Sequence, residues 1–121
     1  MARILVIDNH PVVLRAMTVF LEAAGHEVVT AGGGRDGLRK ARRKPPDLAL
    51  LDCDLPDMSG PDICRAIKAD PALSGVPVVL VTGGILQEAE PLALAAGAEG
   101  VIGKPFTKEE LQAEAAKYLK K

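Results

Sequence analysis

The stretch Asp47-Leu48-Ala49-Leu50-Leu51-Asp52 is an apolar run of strand length that closes on a carboxylate, and the turn residues of Cys53-Asp54-Leu55-Pro56-Asp57-Met58-Ser59-Gly60 follow at once. A run that is apolar at successive positions, rather than alternate ones, reads as a strand buried on both faces, in the middle of a parallel sheet. Asp52 then lies at the strand's carboxyl end, the edge of an open α/β sheet where ligands bind.

The same pattern recurs along the chain. Ile4 to Ile7 is an apolar run that closes on Asp8-Asn9-His10-Pro11. Pro11 suits the first turn of a helix, whose apolar positions continue through Val12, Val13, Ala16, Met17, Phe20, Leu21 and Ala24 to a stop at Gly25. Glu27 to Ala31 is a more polar strand, expected at an edge. Gly32-Gly33-Gly34 turns into a basic helix over Arg35 to Lys44, ended by Pro45-Pro46. Helical spacing returns over Pro61 to Ala69, and Pro77 to Val81 is another buried strand, closing on Thr82-Gly83-Gly84. The next helix is expected to begin late, near Ala89, because Pro91 suits only a first turn, and to end at Ala96 before Gly97. Gly100 to Gly103 is a short fifth strand leading to Lys104-Pro105. Thr107 and Glu110 then have capping-box spacing at the start of the last helix. Five strands alternating with five helices predict an α/β, doubly wound parallel sheet, and 121 residues predict one domain spanning 1–121.

Composition narrows the function. Hydrophobic residues make up 48% and aromatics only 2%, so the core is aliphatic and no stacking surface for single strands is available. Fifteen basic residues balance 16 acidic ones, so no direct nucleic-acid or membrane contact is expected. No run has the length of a membrane span, and the N-terminus carries no signal-peptide pattern. Cys53 and Cys64 lack metal-ligand spacing and read as reduced packing thiols, which places the expected location in the cytoplasm.

Asp8, Asp52, Thr82 and Lys104 all fall at carboxyl ends of predicted strands, so a parallel sheet would gather them at one rim. Carboxylates with a further oxygen ligand suit Mg²⁺, while a lysine and a hydroxyl suit phosphoryl oxygens. The chemistry this favours is phosphoryl transfer to a carboxylate, with Asp52 as nucleophile.

On these residues the chain resembles the receiver domains of two-component response regulators over essentially its whole length. The resemblance is carried by Asp8-Asn9 at the acidic-pair position, Asp52 as phosphoacceptor, Pro56, Gly60, Thr82 and Lys104-Pro105. It implies a flavodoxin-like sheet of order 2-1-3-4-5 and a cis peptide before Pro105. It also implies Mg²⁺ held by Asp8, Asn9, Asp52 and the backbone carbonyl of Asp54. The implied partner is a sensor histidine kinase or phosphotransfer protein, with a downstream effector domain or protein to read the signal. Such a domain is a signalling switch, not an enzyme, beyond its own phosphotransfer and dephosphorylation. A homodimer through the last two helices is compatible with the sequence.

Two departures stand out. Asn9 replaces the second acid of the pair, which should weaken Mg²⁺ binding by on the order of 1 kcal/mol. Val101 replaces the aromatic ring that usually moves with the threonine, so any switching must pass through the Gly83-Gly84 loop, expected to be mobile, or through helix displacement. They keep an alternative alive, a phosphorylation-independent pseudo-receiver acting as an interaction module. Weaker signals have plainer readings. Gly32 to Gly37 satisfies G-x-G-x-x-G but follows the second strand, and reads as a flexible turn. Asp52-Cys53-Asp54 resembles the start of the haloacid-dehalogenase-like phosphatase signature, but its fifth position is Pro56. His10 reads as a rim loop residue, the Arg39 to Lys44 charges as a solvated helix face, and Leu86, Leu92 and Leu94 as mainly packing residues.

Overall fold

A computed structural model describes residues 2–119. The strands are β1 (Arg3–Ile7), β2 (Glu27–Ala31), β3 (Leu48–Asp52), β4 (Val78–Thr82) and β5 (Gly100–Gly103), alternating with α1 (Pro11–Ala23), α2 (Gly34–Arg43), α3 (Gly60–Ala69), α4 (Leu86–Ala96) and α5 (Lys108–Leu119). All pairings are parallel and the sheet order is β2-β1-β3-β4-β5, the flavodoxin-like order the resemblance implied. β2, the most polar strand, is an edge, and all five residues of β3 and of β4 are buried.

The period of two along each strand divides the core into two layers. Ile4, Val6, Leu48, Leu50, Val79 and Val81 pack with Met17 and Leu21 of α1 and Leu111 and Ala115 of α5. Leu5, Ile7, Ala49, Leu51, Val78 and Leu80 face the other side, against Leu38, Ile63, Ile67 and Ala93 of α2, α3 and α4. Gln112 Nε2 donates to the Phe20 carbonyl at 2.8 Å and ties α5 to α1.

Most expected boundaries hold to within a residue or so, and the capping box forms in both directions: Glu110 N–H donates to Thr107 Oγ1 at 3.0 Å and Thr107 N–H to Glu110 Oε1 at 2.8 Å. The fourth helix corrects the sequence reading. It starts at Leu86, not near Ala89, and carries Pro91 in its interior. The proline removes the N–H that would bond Gln87 O, but Gln87 and Pro91 are both exposed, so water can serve the orphaned carbonyl. Gly97 ends the helix as expected, in the left-handed region at φ 86°.

Candidate functional site

Parallel register brings the strand ends together. Ile7 pairs with Leu51 and Asp52 with Val81, so Asp8 and Thr82 each lie one residue beyond a strand position that flanks the end of β3. Thr82 in turn pairs with Gly103, immediately before Lys104. Asp8 and Asp52 are 1% and 3% exposed, and Thr82 is buried too; these three are the buried polar residues among those described. Gly60 makes the turn after β3 tight: a Cβ there would stand 2.6 Å from the Asp52 carbonyl oxygen and 2.9 Å from Cys53 Cα, so only glycine lets α3 start so close.

Lys104 Nζ lies 3.0 Å from Asp8 Oδ2 and 3.5 Å from Asp52 Oδ1. The Lys104–Pro105 peptide is cis, as the resemblance implied. Burial raises the Asp52 carboxyl above its ordinary value, and the Asp8 charge adds to the rise, while Lys104 and the Asp54 backbone N–H pull against it. Two carboxylates thus share one ammonium. Asp8 Oδ2 and Asp52 Oδ2 are buried and accept no hydrogen bond among the described residues. Hard oxygen donors carrying excess negative charge, with the buried Asp52 Oδ2 left without a hydrogen bond, fit a divalent cation such as Mg²⁺.

Thr82 is at the rim, and its Oγ1 accepts the Gly84 N–H at 3.0 Å, with the Cys53 thiol beside its hydroxyl. Thr82 also lines a groove of about 420 Å³ between the β3–α3 turn and α4, shared with Cys53, Asp54, Arg65 and Ile85. Asn9 is exposed beside Asp8, and its side chain makes no hydrogen bond among the described residues. Asp54 is exposed as well; its N–H reaches Asp52 Oδ1 at 3.4 Å.

His10 has a larger place than its sequence context suggested. Asp8 Oδ1 accepts the His10 backbone N–H at 2.8 Å, and the His10 ring Nδ1 lies 3.1 Å from the same oxygen and 3.7 Å from Asp52 Oδ2. The Asp-x-His spacing, with its local carboxylate-to-backbone turn, is the signal that was available. Asp57, from the loop after Pro56, was not singled out at all. Its carboxylate accepts the N–H groups of Gly34 and Arg35 at 2.8 and 3.0 Å, and these bonds hold its carboxyl below the usual range. The glycine-rich turn therefore spends its anion-binding N–H groups on an internal carboxylate.

The cysteines and the α2 charges are structural. Burial pushes the Cys53 and Cys64 thiols up, away from the reactive thiolate, and Cys64 Sγ donates to the Ala96 carbonyl. On α2, Arg39 pairs with Asp36, Lys40 Nζ donates to the Thr30 carbonyl, and Arg42 meets Asp70. Leu92 and Leu94 correct the sequence reading: expected mainly to pack, they are exposed on α4, whereas Leu86 is half-buried. Val101 is half-buried and lines a groove of about 610 Å³ with Leu86, Phe106 and Lys117.

Comparison with known proteins agrees with this geometry. A family model described as the response regulator receiver domain matches residues 4–116. The DNA-binding response regulator MtrA of Mycolicibacterium smegmatis is 38% identical over 119 residues, which cover 98% of this chain and 51% of that protein. The chain spans about half the length of the curated relatives it matches. The chemotaxis response regulator CheY4 of Vibrio cholerae superposes with a TM-score of 0.93 at 29% identity, covering 98% of this chain and 99% of that one. The receiver domain of sensor histidine kinase PA1611 from Pseudomonas aeruginosa PAO1, solved with a magnesium ion coordinated in its active site cleft, gives a TM-score of 0.90 at 30% identity, with 98% and 97% coverage.

Proposed function

The chain belongs to the response regulator receiver domain family, and from that premise we propose that it is a phosphorelay switch in which Asp52 accepts a phosphoryl group from a phosphohistidine donor. The observation that carries this reading is a buried carboxylate at a strand end, with a lysine amine 3.5 Å from one oxygen and a second buried carboxylate on the same lysine.

In the proposed step an Asp52 oxygen attacks phosphorus, the P–N bond of the donor breaks as the P–O bond forms, and the donor imidazole keeps the electron pair and takes up a proton. Lys104 stands where it can pair with a phosphoryl oxygen, and the O–H of Thr82 can donate to another once the Gly83-Gly84 loop moves toward the site. Asp8, Asp52, the Asn9 amide oxygen and the Asp54 backbone carbonyl are the groups that would hold Mg²⁺. When bound, the ion offsets the negative charge that the carboxylates and the phosphoryl oxygens bring together. The donor is a sensor histidine kinase or phosphotransfer protein, the setting is the cytoplasm, and the output passes to an effector domain or protein. Beyond its own phosphorylation and dephosphorylation the domain turns over no substrate.

The test is incubation with a small-molecule phosphoryl donor and Mg²⁺, read by intact-protein mass. A gain of one phosphoryl group that disappears in Asp52→Asn is expected. No gain at millimolar Mg²⁺ favours the second reading, a pseudo-receiver that keeps the fold as an interaction module, for which Asn9 and Val101 are the specific observations.

A further inference from the structure

The cation site has an unusual third donor. Asp8, His10 and Asp52 each place one ligand atom within 4.8 Å of the others. Two nitrogen-bearing side chains divide the carboxylate oxygens between them. Lys104 approaches Asp8 Oδ2 and Asp52 Oδ1, while His10 Nδ1 approaches Asp8 Oδ1 and Asp52 Oδ2. Asp52 Oδ2, on the imidazole side, is buried and accepts no hydrogen bond among the described residues. The backbone of this residue is also fixed: the Asp8 carboxylate holds the His10 N–H, and Pro11 opens α1 immediately after it.

The spacing fits coordination. Neighbouring donors around a six-coordinate ion with bonds of about 2.1 Å are about 3 Å apart, and Nδ1 lies 3.1 Å from Asp8 Oδ1. The 3.7 Å to Asp52 Oδ2 closes with a small rotation of a side chain that is 60% exposed and free to turn. We infer that His10 is a metal ligand through Nδ1, and that the centre prefers imidazole-accepting first-row divalent cations, such as Co²⁺ and Zn²⁺, over Mg²⁺. Mg²⁺ gains little from exchanging a water for a nitrogen, whereas the later transition metals gain much. Asn9 sharpens the preference, because a neutral amide at that position removes one of the hard anionic oxygens that would favour Mg²⁺. This inference rests on the reading of the site as a cation-binding phosphoacceptor centre.

The experiment is calorimetric titration of Co²⁺ and of Mg²⁺ into the wild type, His10→Ala, Asp52→Asn and His26→Ala, at one pH and ionic strength. His26 is a control for stray imidazole binding, since its Nδ1 accepts the Ala2 N–H outside the site. The expected result is a Co²⁺-over-Mg²⁺ affinity ratio that falls about tenfold or more in His10→Ala and holds in His26→Ala, with both metals weakened in Asp52→Asn. In nitrogen-15 spectra, added Co²⁺ should shift or broaden His10 Nδ1 and spare His26. An unchanged ratio in His10→Ala overturns the inference, as does a parallel loss of both metals, which would make His10 a support for Asp8 only. These results leave the phosphoacceptor reading intact as long as the wild type is phosphorylated with Mg²⁺ and Asp52→Asn is not. A wild type that binds neither metal and takes up no phosphoryl group overturns both.

Discussion

A single missing atom allows the turn after β3 to bring α3 against the strand that carries the proposed phosphoacceptor. Gly60→Ala would drive a Cβ to 2.6 Å from the Asp52 carbonyl oxygen, and overpacking of this kind costs about 1–3 kcal/mol. Because the displaced atom belongs to Asp52, the variant should lose phosphorylation yield as well as stability, measured by denaturant titration beside the mass assay. Asp57 gives a second prediction. Its folded-state carboxyl lies below the ordinary value of 3.8, chiefly through the Arg35 and Gly34 N–H bonds. Its contribution is therefore complete above about 3.8 and fades as the pH falls through the lower, folded value. Asp57→Ala should be less stable than wild type near neutrality, with the gap closing in acid; a constant gap across that range would sink the assignment. At this scale the sequence was legible in part. Asp8, Asp52, Thr82 and Lys104 could be assembled because each terminates a strand and parallel strands share an edge. Asp57 could not, since its partners lie 22 and 23 residues upstream with no periodicity to connect them. His10 was read from its chain neighbours, which show a helix entrance and hide the carboxylate that β3 brings to it.

Among the elements, α4 departs most from its sequence signal, and the reason is solvent. The rule that confines proline to a first turn assumes that the orphaned carbonyl has no other partner. Gln87 and Pro91 face water, so α4 keeps an interior proline and begins three residues before the expected start. Pro91→Ala should then stabilise the protein. It restores the bond to Gln87 and a better helix former, against the chain entropy that proline removes from the unfolded state, for a net gain of about 1–2 kcal/mol. Thermal unfolding followed by circular dichroism checks the sign, and a lowered midpoint would show that the ring packs in a way the helix needs. The strands were more legible than the helices they alternate with. β3 and β4 are buried throughout and write their burial as continuous apolar runs, whereas β2 is an edge and writes its exposure as polarity.

For the molecule as a whole, the sheet separates two apolar layers that share every strand and should therefore unfold together. Leu50 and Leu51 are neighbours in β3, yet they belong to opposite layers. Leu50→Ala and Leu51→Ala should each cost about 2–5 kcal/mol, and each should leave a single transition, because every strand contributes to both layers. Tyr118, the only tyrosine in a chain without tryptophan, reports from the α5 side through its hydroxyl bond to the Glu99 carbonyl. Its fluorescence and the far-ultraviolet signal should therefore change at the same denaturant concentration in both variants, and separated midpoints would mean independent layers. The order β2-β1-β3-β4-β5 has a further result for how the chain is made. Once β2 has paired with β1, every later strand joins on the opposite side, so the emerging polypeptide adds each new strand at one advancing margin. That margin ends at the shortest strand, four residues with a glycine at each end, Gly100–Gly103, which becomes the second outer edge of the sheet. So short an outer edge leaves the completed sheet little for a stranger to pair with.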